Sequence, residues 1–258
     1  MGSGSGQFRC QTRFPCARKR GQAPVETPFA ASLMLLMWHI LGKSEKAMLI
    51  NPASGTPKAG IVLVPKRLAL DSAAMHAAKA IARQGYACLA LDLSKQPKTV
   101  DNVTATELVA NLAKVKQAVG ELRKSIGGGK VGLVGAWLGG TLALLAGESG
   151  ADACAAVCPH LSLPLSDDSS LQQPLAAAGG AEMPILAVFG ELDGEIPLDE
   201  IRELERLLSQ SPSHDESYTY PGVGHAFFDN EPGNSEYREP AERDLWMRID
   251  RFFDARMK

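Results

Sequence analysis

Acidic residues are missing from the first 25 positions, which carry Arg9, Arg13, Arg18, Lys19 and Arg20. The remainder therefore holds 22 of the 27 basic residues against all 29 acids, a net charge of −7 within a whole-chain charge of −2. A mildly acidic body without a basic stripe argues against nucleic acid as a partner. Cysteine is scarce: Cys10, Cys16, Cys88, Cys154 and Cys158, an odd number with no C-x-x-C pair. That spacing suits neither a zinc ribbon nor a disulfide framework. The last three lie in apolar surroundings, where cysteine acts as a small hydrophobe in a reduced interior. Long apolar runs are lacking too. Residues 29–41 form a 13-residue stretch interrupted by Ser32 and His39, short of the roughly 20 residues that cross a bilayer. No transmembrane helix is expected, and no metal or cofactor.

What is present is globular: 45% hydrophobic and 22% charged residues in 258, enough for one sizeable α/β domain. Residues 1–45 stand apart. Their basic opening followed by a short apolar run has the composition of a targeting or docking segment, with a plastid or mitochondrion as the expected destination and the cytoplasm as the alternative. A helix packed on the domain would account for the same residues. The myristoylation pattern fails at Gly6.

From residue 46 to 258 we expect a single domain of alternating strands and helices. Ile61-Val62-Leu63-Val64 is a continuous apolar run suited to a strand buried on both faces. Asp71 or Ser72 caps a helix over 73–83 that stops at Gly85. Residues 87–91 form the next strand. Leu108, Leu112, Val115, Val119, Leu122 and Ile126 then recur at helical steps. Thr104-Ala105-Thr106-Glu107 reads as a capping box at the start of that helix, which explains the residues beside the Asn102-Val103-Thr104 sequon without a glycan. Strands follow at 131–134, 155–157, 185–189 and around Tyr218, and a closing helix places Leu245, Ile249, Phe252 and Phe253 on one face. This alternation predicts a mostly parallel sheet flanked by helices on both faces. Residues 161–183 read as one long irregular loop overhanging the carboxyl ends of the strands, where ligands bind in such sheets.

Gly135-Ala136-Trp137-Leu138-Gly139-Gly140 follows an apolar strand and resembles the nucleophile elbow of the α/β-hydrolase fold, a sharp strand-to-helix turn. The residue at its tip is ordinarily Ser, Cys or Asp. Trp137 can neither attack a carbonyl nor yield a proton near neutral pH. It also occupies a position that usually needs positive φ, unfavourable for a bulky aromatic. A hydrolase triad places nucleophile, acid and His in that chain order. Asp193, in the turn after the 185–189 strand, and His225, in the loop Gly222-Val223-Gly224-His225, follow in that order. His39, His76, His160 and His214 show no such constellation and read as structural.

Those motifs, with Gly190-x-x-Asp193-x-x-x-Pro197 and Arg83-Gln84-Gly85-Tyr86, resemble the dienelactone hydrolase family over about four fifths of the chain. The resemblance implies an α/β-hydrolase fold, with Asp193 and His225 as triad acid and base. It implies that the family's Cys stands where this chain has Trp137, and that its Glu stands in the loop now written Pro65-Lys66-Arg67-Leu68. The backbone N–H groups of Arg67 and Leu138 match the oxyanion hole. Two departures at one site, Trp137 and Lys66, imply a degenerate member that binds a small ester or lactone, or acts as a subunit of a larger assembly. The alternative is hydrolysis by water activated through Asp193 and His225.

Overall fold

The structure is a computed structural model and describes residues 46–165, 171–213 and 215–257. The proposed targeting segment lies outside the described residues, as does His214. Seven strands form one sheet: β1 (Lys46–Ile50), β2 (Gly60–Val64), β3 (Ala87–Asp92), β4 (Val131–Ala136), β5 (Ala153–Val157), β6 (Ile185–Gly190) and β7 (Glu216–Tyr220). Their order is β1-β3-β2-β4-β5-β6-β7. Only β1 runs antiparallel, against β3; every other pairing is parallel.

The strands from β2 to β6 are almost wholly buried, whereas β7 at one edge is exposed or part-buried until its last residue, Tyr220. That matches the continuous apolar runs, which need cover on both faces. The cover comes from α1 (Ser72–Arg83) and α6 (Glu239–Arg256), which contact each other, and from α2 (Ala105–Ser125), α3 (Leu138–Leu145), α4 (Pro174–Gly179) and α5 (Leu198–Gln210). Asp71, not Ser72, caps α1 by accepting from the Ala74 N–H. Both halves of the Thr104–Glu107 capping box are made.

One expectation is corrected. Residues 161–183 are not a single irregular loop, because α4 starts at Pro174, a residue suited to the first turn of a helix. The Gln173 side chain bridges to both the N–H and the C=O of Leu163, tying the segment back on itself.

The chain steps from β2 to β3 in one direction, then crosses back and proceeds from β4 to β7 in the other. The reversal between β2 and β4 is the topological switch point, where the carboxyl ends of two strands diverge and leave a crevice. Leu68, Trp137 and Cys158 are the non-glycine residues with positive φ among those described. They follow β2, β4 and β5, all at this end of the sheet. Strained backbone concentrates where a site is being shaped.

Candidate active site

Trp137 sits at the turn between β4 and α3 with φ +50° and ψ −124°. The turn has kept its tight geometry rather than relaxing around the larger side chain. Its neighbours enforce this: a Cβ on Gly135 would lie 2.2 Å from the Gly139 oxygen, and one on Gly139 would lie 2.3 Å from both the Val64 and Pro65 oxygens. The Trp137 N–H is held by Val157 O at 2.9 Å, and its C=O accepts from the Thr141 N–H.

Held in this way, the indole lies against the expected base. Its ring stacks on the His225 imidazole with centroids 5.1 Å apart and planes 17° from parallel. Its Nε1 donates to the His225 carbonyl at 3.3 Å. Phe228 packs edge-on at 5.9 Å, and the Lys66 ammonium lies 4.9 Å from the indole centroid.

Asp193 has two tasks. One carboxylate oxygen accepts from the backbone N–H groups of Glu195 and Ile196, shaping the turn after β6; the other lies 2.7 Å from His225 Nδ1. Burial by itself would raise the Asp193 pKa, but the hydrogen bond and charge of His225 outweigh it and hold the carboxyl below its ordinary value. A carboxylate in this position fixes the imidazole's orientation and leaves Nε2 facing outward. Close approach of Gly190 lets the two loops meet, since a Cβ there would lie 2.5 Å from the Val223 oxygen.

Lys66 is buried, and its ammonium is matched by Asp229 at 2.6 Å and Glu231 at 3.2 Å. Arg67 pairs with Asp71 and Glu231. The acid-to-base exchange expected at position 66 is thus compensated by acids from the segment just after His225. Nothing in the sequence tied Asp229 and Glu231 to position 66, because the pairing joins loops far apart in the chain.

Beside the indole lies a pocket of about 290 Å³, lined by Lys66, Arg67, Trp137, Leu138, His160, Glu195, His225 and residues 98–101. Trp137 forms a wall of this pocket and does not fill it. Among the described residues of 161–183 none lines it, so the expected overhang comes instead from 98–101, after β3. Sequence reasoning also left His160 as structural. It lies just past β5, with its ring centroid 5.7 Å from that of His225. Its place at the carboxyl end of a parallel strand was the available signal. Burial, then the neighbouring His225, lowers its pKa.

Cys158 is the described thiol grouped with Asp193 and His225. It is fully buried, and burial followed by the Asp193 charge drives its pKa well above the usual thiol value. A thiol that stays protonated is inert. Cys88 and Cys154 are also free and buried, and burial, then the Asp215 charge, pushes the Cys154 thiol up to about 12.

Several known proteins share this architecture. A "Putative dienelactone hydrolase" from Klebsiella pneumoniae superposes with a TM-score of 0.69 at 18% identity, over 83% of this chain and 94% of that one. A thermophilic esterase from Thermogutta terrifontis gives 0.63 at 18% identity, over 82% and 89%. At this identity the likeness establishes the fold. In sequence, the chain is 26% identical over 222 residues to a "Putative carboxymethylenebutenolidase" of Yersinia pestis, covering 81% of this chain and 82% of that protein. It is 21% identical over 175 residues to a Synechocystis protein of the same description, covering 68% and 69%. No described helix is long and apolar enough to cross a membrane. The sequence profile of the dienelactone hydrolase family matches residues 46–257, and with the elbow, acid turn and His loop assembled at one end of its parallel sheet, the chain belongs to that family.

Proposed function

We propose that this member of the family binds a small molecule in the pocket beside Trp137 and does not form an acyl-enzyme. The observation that carries the reading is the indole at the elbow, lying flat on the His225 ring at 5.1 Å. Covalent hydrolysis needs a thiol, hydroxyl or carboxylate at that tip and a base within reach of the reacting groups. Here the tip supplies an apolar wall. The ligand class is a small ester or lactone, in keeping with the names of the relatives. Its carbonyl oxygen would lie towards the backbone N–H groups of Arg67 and Leu138, which a change of side chain leaves in place. Trp137 and Lys66 supply the adjacent surface, and a partner protein would make the chain a subunit of a larger assembly.

The test is an assay of the purified protein against activated esters and lactones, beside Trp137→Cys. The native protein should show negligible turnover and no burst, and the variant partial recovery. Steady hydrolysis by the native protein that disappears in His225→Ala would favour the second reading, water activated by the Asp193–His225 pair. That reading draws its support from the 2.7 Å bond between these two residues.

A further inference from the structure

His225 Nε2 faces no nucleophile, and two other side chains approach it. Glu195 Oε2 lies 3.5 Å away. His160, Glu195 and His225 each bring one ligand atom into a group in which every pair lies within 4.8 Å. All three line the same pocket. We propose that they form a binding site for a borderline divalent cation of the zinc class, with one position open to the pocket for water or a ligand oxygen.

Four features of the site support this. Two imidazoles and one carboxylate are the donor set that zinc and its first-row neighbours accept, whereas magnesium and calcium favour oxygen alone. Metal bonds of about 2.0–2.1 Å in tetrahedral arrangement put ligand atoms roughly 3.3 Å apart, close to the existing separation of Glu195 from His225. The wider separations in the group, up to 4.8 Å, would close by rotation of the half-buried His160 and of the Glu195 side chain, which is 63% exposed. His225 is oriented in the manner of a metal-bound histidine, its other nitrogen held by the buried Asp193.

Charge agrees as well. Asp193 and Glu195 set two carboxylates beside the cation position. The nearby bases are each matched by their own acids: Lys66 by Asp229 and Glu231, Arg67 by Asp71 and Glu231, and Lys98 by Glu107. A second grouping, Cys158 with Asp193 and His225, is a poorer candidate, because its thiol resists ionisation and its carboxylate already engages His225 Nδ1.

The proposal rests on the reading that no nucleophile engages His225 Nε2, but its test does not depend on turnover. Co²⁺ is titrated into the full chain and into its Cys10→Ser/Cys16→Ser form, which removes the N-terminal thiols. The expected result in both is one Co²⁺ per chain, with visible ligand-field bands and no thiolate charge-transfer band. His160→Asn, His225→Asn and Glu195→Ala should each weaken binding by at least about tenfold, with circular dichroism showing that the variants remain folded. Glu195 is a surface side chain, so its variant keeps the test decisive if a histidine variant fails to fold. Absence of saturable binding, an affinity unchanged in Glu195→Ala, or a thiolate band from a buried cysteine would overturn the proposal. Esterase turnover without Co²⁺ binding would sink the metal site and the binding-protein reading together. Negligible turnover without Co²⁺ binding would sink the metal site alone.

Discussion

Trp137 carries a backbone cost and a packing gain at the same position. Its φ of +50° costs a non-glycine residue about 1–3 kcal/mol. Against that stand the stacking on His225, the edge contact with Phe228 and the Lys66 ammonium near the ring. Trp137→Gly relieves the strain and loses the packing; truncating a core Trp costs about 3–5 kcal/mol and the part-buried Trp137 less, so denaturant melts should show a net loss of at most about 3 kcal/mol. In a Cys10→Ser/Cys16→Ser background, Trp137→Cys should create a rapidly labelled thiol beside an imidazole, while Cys88, Cys154 and Cys158, all buried, react slowly. Equal labelling rates before and after the substitution would contradict the placement of position 137. Lys66 offers a sharper test. It and Asp229 are only 5% and 6% exposed, so Lys66→Ala leaves a buried carboxylate without its partner and should destabilise by about 3–5 kcal/mol. Replacing both, as Lys66→Met with Asp229→Leu, should cost less than Lys66→Ala; a double variant as unstable as the single one would remove the ion pair from the account.

Among the elements, the β4–α3 turn and the β7–α6 contact respond to different perturbations. Gly139→Ala would set a Cβ 2.3 Å from two backbone oxygens of the β2 loop, and backbone cannot swing aside as a side chain does. A loss above about 4 kcal/mol, or no soluble protein, is expected; a variant that melts like the native chain would show that the elbow is looser than its geometry. The Tyr220 hydroxyl, at the end of β7, donates to Asp244 on α6 at 2.7 Å. That bond lowers the Asp244 pKa below 3.8, with Arg248 helping and burial opposing, while burial and then Asp244 raise the Tyr220 pKa. A depressed carboxylate pKa gives stability that is present above the unfolded value and is lost as pH falls through the folded one. A raised tyrosine pKa gives stability that is lost as pH rises beyond 10. The gap between native and Tyr220→Phe should therefore be widest between about pH 4 and pH 10 and shrink on either side. Its mid-range size should be about 1 kcal/mol, since Asp244 is 35% exposed and solvent screens it. A gap that stays flat on going well below pH 4 and well above pH 10 would remove the linkage.

For the whole molecule, residues 1–45 and the domain answer to different tests. Fusing 1–45 to a fluorescent reporter should direct it to an organelle, and a diffuse cytosolic signal would contradict the targeting assignment. Within the domain, local signals decided a great deal. The apolar run at 61–64, the Thr104 capping box and the closing helix face depend on neighbours one to four residues away, so spacing alone determined them. The elbow, acid turn and His loop could be located for the same reason, as short motifs of local spacing. Spacing failed where one segment mixes loop and helix. The helix at Pro174–Gly179 has six residues, too few to show a period. Charge matching and ligand grouping lay beyond the sequence altogether. Lys66 finds Asp229, and His160 finds Glu195 and His225, only because parallel strands deliver several loops to one end of the sheet. The sequence by itself determined the strands, the caps and the presence of Trp137 within the glycine frame of the turn after β4. The tertiary structure alone decided that the indole would lie on the His225 ring, beside an open pocket, because strand order and loop approach, rather than chain distance, set which side chains meet.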